Sequence, residues 1–167
     1  YSATMNRKST IRNLSKYTDY GNLFFKEQLS NFLNHTRGLH IGPENLLINR
    51  SEAMNIYLLS RVLLNPGDRV VVAALSNSAI NMAFLQTGAT IMTLPVDEQG
   101  IQVTVLREYL QLHVIRVVYI TPHHHYPTTV ALSASRRIEL LQLANTYGFI
   151  IIEDDYDSEL RYFGKPV

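Results

Sequence analysis

A short apolar run that ends in a cluster of acids constrains the fold of this chain more than any other feature. Residues 149–152 read Phe-Ile-Ile-Ile, and Glu153, Asp154 and Asp155 follow directly. An unbroken run rich in β-branched residues is typical of a strand buried on both faces, as in a parallel sheet covered by helices. Ligands bind outside the carboxyl ends of such strands, so these acids can meet a ligand. Taken alone, the acids fit a solvated loop that merely ends the strand equally well.

The chain before this run predicts strands that alternate with helices. After the turn at residues 65–68, the predicted order is strand 70–72, helix 80–86, strand 90–96, turn 97–100, helix 105–110, strand 115–120, a helix that begins at Ser133 or Ser135, and strand 149–152. Such alternation is the pattern of βαβ units. We therefore predict an α/β fold with a mainly parallel sheet flanked by helices on both faces. In the last helix, Ile138, Leu141 and Ala144 are expected to face inward.

The first third of the chain is less regular. Residues 1–21 are polar and aperiodic and are interpreted as an N-terminal arm or linker, which leaves 22–167 as one partial domain. A helix is expected to carry its apolar face at Phe25, Leu29, Phe32 and Leu33 and to end at Gly38. A short strand is expected at 46–48. Ser51 is the candidate N-cap of a second helix, which carries Met54, Leu58 and Val62 on one side.

The composition excludes several classes of protein. Of 167 residues, 46% are hydrophobic and 17% are charged, which is typical of a globular chain rather than a disordered one. The formal net charge of +1 gives no nucleic-acid footprint, and the absence of cysteine excludes disulfides and thiolate metal sites. No membrane-spanning segment or signal peptide is recognisable, so a cytoplasmic location is expected. The start at Tyr1 suggests a piece of a longer protein.

Two polar stretches are candidates for binding. His123, His124 and His125 follow the strand at 115–120, but adjacent residues of an extended loop point in different directions, so we expect a polar loop beside a ligand and no metal site. The helix start at 49–53 can hold a phosphate through its backbone amides, or it is an ordinary capped helix start. Dinucleotide, Walker and serine-elbow motifs are absent from the sequence. Arg136 and Arg137 are expected to be solvated.

Taken together, these stretches resemble a known family. The segments YITPHHHYPTTVALSASRRIELLQLA and FIIIEDDYDSELRYFGKP, preceded by LLNPGDRVVV and TGATIMTLPVDEQGI, are similar in content and order to the aminotransferase-like domain of the MocR subfamily of GntR-type transcriptional regulators. The resemblance runs from about residue 19 to 166. It implies that the chain is part of the large domain of the type I fold of pyridoxal-phosphate enzymes.

The resemblance implies cofactor contacts at seven positions. Asp154 matches the aspartate that pairs with the protonated pyridine nitrogen, and Tyr156 matches the tyrosine that hydrogen-bonds the phenolic oxygen. The other five positions fall in three regions, namely the phosphate-binding turn at Ser51, Glu52 and Ala53, the ring-stacking position at Asn77, and the loop before Pro127 at His124. No position is assigned to a catalytic residue or to a metal.

Three of these positions, and Thr129 in addition, depart from the pattern that the resemblance implies. Ser51 replaces a glycine, Glu52 a hydroxyl donor, Asn77 an aromatic ring, and Thr129 a glycine after Pro-Thr. We therefore expect weakened cofactor binding. None of the four lysines matches the Schiff-base lysine, so this chain is expected to be catalytically silent.

The functional expectation is an effector-sensing domain of a MocR-type regulator. The resemblance implies pyridoxal phosphate as cofactor, a small amine or amino-acid effector, a homodimer, and DNA contacted through a winged-helix domain that precedes this chain in the parent protein. Two alternatives stay open: a fragment of a genuine pyridoxal-phosphate-dependent aminotransferase, and a cofactor-free dimerisation domain.

Overall fold

A computed structural model describes residues 8, 11, 12 and 20–156 of the chain. It divides into two compact units, Tyr1–Met54 and Asn55–Val167, and each is described by itself below. Within the predicted arm at 1–21, Lys8, Ile11 and Arg12 are helical and exposed. The domain division drawn from the sequence stays a prediction. In the part of the chain that is described, no helix is long and apolar enough to span a membrane.

Helix α1, Leu23–Arg37, lies in the first unit and ends at the glycine that the sequence predicts. The Asn22 side chain accepts a hydrogen bond from the amide of Phe25 at 3.0 Å, and Gly38 ends the helix in the left-handed conformation at φ 64°. The apolar face is not the most buried one, because Phe25 and Phe32 are each about half exposed while Lys26 and Ser30 are buried.

The strand predicted at 46–48 is absent from the described part of the first unit, where a short 3-10 helix, Pro43–Asn45, precedes this segment. Nearby, the amide side chain of Asn34 bonds both polar groups of the Ile41 backbone. It donates to the carbonyl of Ile41 and accepts from the Ile41 amide, each at 2.8 Å. A two-sided side-chain bond of this kind satisfies the backbone without a sheet.

Helix α2, Glu52–Leu63, begins where the sequence places it. Ser51 Oγ accepts a hydrogen bond from the Met54 amide at 3.3 Å, as expected of an N-cap. Met54 and Val62 are exposed, whereas Ile56 and Ser60 are buried, so the side that carries Met54, Leu58 and Val62 is not the buried side. Ser60 tolerates burial because its hydroxyl donates to backbone carbonyls.

The second unit confirms the predicted alternation of strands and helices. Its elements in chain order are β1 Arg69–Ala73, α3 Ser78–Leu85, β2 Thr90–Leu94, β3 Val96–Asp97, β4 Gly100–Ile101, α4 Val103–Leu112, β5 Val117–Ile120, α5 Ala134–Tyr147 and β6 Ile150–Glu153. Strands β2, β1, β5 and β6 lie in that order in one sheet, and every pair in it is parallel. Strands β3 and β4 form a separate antiparallel hairpin at the predicted turn.

The sheet separates two buried apolar clusters, as a sheet covered on both faces requires. Val71 and Val118 belong to one cluster, which also holds the inner side of α4. Val72 and Tyr119 belong to the other, with the inner side of α3. Alternate residues of each strand point to opposite faces, so the short runs of Val and Ile fill both clusters at once. The predicted α/β fold is confirmed.

Helix α5 lies where it was predicted but is rotated. Ile138 and Leu141 are each 58% exposed, while Leu140 is buried and Leu143 and Ala144 pack against the core. The inner face therefore follows the i, i+3, i+4 spacing from Leu140, and only Ala144 of the predicted set belongs to it.

Arg136 and Arg137, expected to be solvated, instead hold the start of α5 to neighbouring segments. Arg136 makes a two-pronged bond to the carboxylate of Asp97 at 2.6 and 2.7 Å and also donates to the carbonyl of Gly100. Arg137 donates to the carbonyls of Leu132 and Pro122. The Arg136 hydrogen bond, with a smaller contribution from the Gln99 amide, lowers the pKa of Asp97, and the same carboxylate raises the pKa of Arg136.

The hairpin position of Gly100 is closed to larger residues. Gly100 has φ 92°, and a Cβ built on it would lie 2.9 Å from the Cα of Leu132. We expect Gly100→Ala to lower the free energy of unfolding by more than the roughly 1–2 kcal/mol cost of the left-handed conformation, because the backbone of Leu132 must also shift. Urea unfolding of this chain measures the effect.

Gly67 provides the matched control for this substitution. It has φ 89°, but no atom lies within 4 Å of a Cβ built there. Gly67→Ala should therefore lower the free energy of unfolding only by the cost of the left-handed conformation. Equal losses in the two variants would contradict the proposed contact with Leu132.

Candidate functional site

The carboxyl edge of the sheet brings the acids after β6 beside the loop after β5. The parallel register pairs Tyr119 with Ile152 and Ile120 with Glu153. It continues one residue further, since the Asp154 amide donates to the Ile120 carbonyl at 2.9 Å. The backbone of Asp154 is thereby fixed at the edge where open α/β sheets bind ligands.

The side chain of Asp154 is held as firmly as its backbone. The Tyr119 hydroxyl donates to Asp154 Oδ2 at 2.5 Å, a short bond of the kind that an ionised acceptor gives. Tyr119 is only 6% exposed, and its ring packs edge-on against Phe84 with centroids 5.8 Å apart. The other oxygen, Oδ1, accepts no hydrogen bond from the residues described, so the carboxylate keeps an acceptor for a cationic N–H.

Sequence reasoning missed Tyr119. It lies inside the strand Val117–Ile120, where it was counted as one more apolar residue. The signal that was available is the phenol itself, because a tyrosine hydroxyl buried in a sheet almost always has a partner.

Asp155 engages a different group from its neighbour Asp154. Its carboxylate lies 2.7 Å from His123 Nδ1, and both side chains are mostly buried. Consecutive residues of an extended segment point to opposite sides, which separates the two carboxylates. The edge therefore carries two independent pairs, Tyr119 with Asp154 and His123 with Asp155.

Tyr156 is brought to the loop that carries the three histidines. Its hydroxyl donates to the backbone carbonyl of His124 at 3.1 Å, and its side chain is 53% exposed. Tyr156 and His124 were both singled out from the sequence, and the structure places them in direct contact.

His125 differs from its neighbours in being buried, at 6% exposure. Its Nδ1 lies 3.0 Å from the Thr121 hydroxyl, and its Nε2 makes no hydrogen bond to any residue that the structure describes. Burial lowers the pKa of His125, and the backbone of Leu75 acts more weakly in the opposite direction. In the described ranges, no group of three or more His, Asp or Glu side chains is placed to hold a metal ion.

The loop after His125 retains a backbone shape that suits glycine. Thr129, which stands where the resemblance expects glycine, has φ 60°. A β-branched residue is rare in this left-handed region and costs of order 1–3 kcal/mol. The Thr129 amide donates to the His125 carbonyl at 2.6 Å, and the His125 amide donates to the Val130 carbonyl at 3.0 Å, so neighbouring bonds hold the loop in place.

The remaining sequence-predicted site residues lie at the starts of helices. Asn77 Oδ1 accepts from the Ala79 amide at 2.9 Å at the start of α3. Ser51 caps α2 in the first unit, with Glu52 and Ala53 exposed in the first turn that follows. An amide at position 77 has no aromatic face, so it cannot stack on a planar ligand as an aromatic ring does.

Comparison with known proteins assigns the chain to one family. Residues 3–156 match the model of the family described as aminotransferase class I and II, and the chain belongs to that family. A crystal structure of kynurenine aminotransferase from Pyrococcus horikoshii superposes with a TM-score of 0.89 at 32% identity, covering 99% of this chain and 42% of that one.

Curated relatives include both enzymes and regulators. An aromatic-amino-acid aminotransferase from Thermococcus litoralis is 33% identical over 83% of this chain and 34% of its own length. The pyridoxine biosynthesis regulator PdxR of Corynebacterium glutamicum, named an HTH-type transcriptional regulator, is 30% identical over 89% of this chain and 32% of its own. Another relative is named as the regulatory protein MocR, which confirms the resemblance drawn from the motifs. The chain spans about a third of the length of the curated relatives it matches.

The buried His125 predicts a pH-dependent stability. Because its pKa in the folded chain lies below the unfolded value near 6.5, the unfolded state binds the proton more readily. The contribution of the neutral His125 to the free energy of unfolding is therefore complete well above pH 6.5 and falls as the pH drops through and below that value. Urea midpoints of the wild type should decline between pH 7 and 5 more than those of His125→Gln.

The matched control is His113→Gln, which alters a half-exposed histidine after α4. This variant should keep the pH dependence of the wild type. An equal decline in wild type and His125→Gln would show that His125 does not bind fewer protons in the folded state.

Proposed function

We propose that this chain is the pyridoxal-phosphate-binding, effector-sensing part of a MocR-type transcriptional regulator. The observation that carries the proposal is the carboxylate of Asp154, fixed at the carboxyl edge of the sheet with one oxygen still able to accept a hydrogen bond. The family match and the relatives named as regulators support it.

The arrangement of Asp154 fits a protonated pyridine nitrogen. Tyr119 donates to Oδ2, and Oδ1 is available to accept a hydrogen bond from the ring N–H. When bound, pyridoxal phosphate supplies an electron sink, and an anionic partner at the ring nitrogen keeps that sink effective. The part of Asp154 is therefore to orient the ring and to hold its nitrogen cationic.

The proposed contact of Tyr156 requires a change of partner. Its hydroxyl proton is committed to the His124 carbonyl at 3.1 Å, whereas the phenolic oxygen of the cofactor would need that proton. Because Tyr156 is half exposed, its ring has room to turn. We therefore assign to Tyr156 a hydrogen bond to the phenolic oxygen of the cofactor, and we place His124 in the loop that receives the ligand.

The other assigned contacts rest on the resemblance and weaken binding. Glu52 places a carboxylate in the first turn of α2, where it favours the helix dipole but repels a phosphate. Ser51 and Ala53 complete that turn, and the cap bond of Asn77 leaves the ring-stacking position without an aromatic group.

The proposal also covers DNA, the effector and the assembly. HTH-type regulators are among the relatives, so we assign DNA contact to another domain of the parent protein. We further propose a small amine or amino acid as the effector and a cytoplasmic homodimer as the working form. A genuine aminotransferase is the second candidate, favoured by the similarity to the Thermococcus and Pyrococcus enzymes. Glu52 and Asn77 count against efficient catalysis in that case.

The test of the proposal is binding of pyridoxamine phosphate, which needs no lysine. Titration of the chain should show saturable binding by fluorescence, and Asp154→Asn should weaken it about 10- to 100-fold, because a charge-assisted hydrogen bond is lost. Glu153→Gln, at the exposed end of β6, is the control and should bind as the wild type does. If the wild type shows no saturable binding, the cofactor-free alternative is correct.

A second prediction concerns the repulsive carboxylate. Glu52→Gln keeps the shape of the side chain and removes its charge, so affinity for pyridoxamine phosphate should rise about fivefold, as expected from about 1 kcal/mol of repulsion near a surface. Glu27→Gln in α1 is the control, because it removes the same charge from an exposed position of the same unit. If both variants bind as the wild type does, Glu52 points away from the phosphate.

A further inference from the structure

Tyr119 is a fixed hydrogen-bond donor. Its ring lies in the buried cluster of one sheet face and meets Phe84 at an interplanar angle of 65°. Packing on this scale leaves few rotamers, so the hydroxyl cannot follow the carboxylate of Asp154 if that group moves. The 2.5 Å bond therefore defines the position of Asp154 Oδ2.

The acceptor is equally restricted. The Asp154 amide bonds the Ile120 carbonyl, so main chain and carboxylate are both anchored to β5. One strand thus determines where Oδ1 lies.

A carboxylate that accepts a strong hydrogen bond at one oxygen is stabilised as the anion and becomes a weaker base at the other. A ring nitrogen that shares a proton with Oδ1 competes with that base. Stabilising the anion keeps the proton on the nitrogen, and removing the donor lets the proton drift towards the carboxylate.

We propose that Tyr119 is a positioning residue that, through Asp154, keeps the proton on the ring nitrogen of a bound pyridine ligand. This inference rests on the proposed function. No bond is made or broken in this role, and the proton remains on the ligand. The ligand class is the one that the proposed function gives, a planar pyridinium whose in-plane N–H would bond Asp154 Oδ1.

The experiment follows the ionisation of pyridoxamine phosphate bound to the chain. The near-ultraviolet absorbance of this probe depends on whether its ring nitrogen carries a proton. In Tyr119→Phe, the pH midpoint of that absorbance change should fall below the wild-type midpoint, and affinity should drop about tenfold. A purely structural role would lower stability or affinity without moving the midpoint.

A second variant guards against a folding defect. Site-specific 3-fluorotyrosine at position 119 keeps the ring and makes the hydroxyl a stronger donor, so the midpoint should rise above that of the wild type. The control is Tyr109→Phe, which removes a hydroxyl that donates to the Thr93 carbonyl at 3.0 Å from α4. It should leave the midpoint unchanged.

The outcomes separate this inference from the proposed function. If the wild type binds the probe and neither change at position 119 moves the midpoint, the role of Tyr119 is overturned and the proposed function stands. If the wild type does not bind the probe, both are overturned. Opposite shifts in Tyr119→Phe and the fluorinated protein establish the role.

Discussion

Strands β5 and β6 pair in parallel, and the pairing continues past β6 to the amide of Asp154. The positions of the Asp154 and Asp155 side chains at this edge depend on that register. It brings Tyr119 within 2.5 Å of Asp154 and sends the next carboxylate, that of Asp155, towards His123. A slip of one residue would exchange the faces of the two acids, because side chains alternate along a strand. The buried runs of Val and Ile that pack both faces prevent the slip, so the apolar core determines the chemistry of the edge.

The sequence was sufficient for the order and type of the elements in the second unit, because short β-branched runs and glycine-terminated helices leave few alternatives. It was insufficient for helix faces. Ser60 is buried through its own hydrogen bonds, and Ile138 is exposed, so hydrophobicity misled in both directions. At the site, the position of Asp154 follows from strand order, whereas the hydroxyl of Tyr119 is hidden within an apolar run. Three adjacent histidines found three different environments, which only the folded loop distinguishes.

Two of the residues that the resemblance marks as departures from the family pattern are satisfied locally. Asn77 and Ser51 each accept a hydrogen bond from a helix amide, a bond that a capping residue supplies whether or not a ligand is present. The starts of α2 and α3 therefore do not depend on a cofactor to satisfy these amides. Each of the two side chains is favourable for the helix that it begins.

Thr129, in contrast, is unfavourable for the backbone conformation that it adopts. At φ 60° it follows a path that glycine takes at no steric cost, and the bonds between His125, Thr129 and Val130 hold it there. The loop thus stores free energy that is released when those few bonds open together. Among the segments at the carboxyl edge, this one should exchange its amide hydrogens earliest and be cut first by a protease, well before the sheet unfolds. A ligand that engages His124 would then be detected as slower amide exchange in this loop.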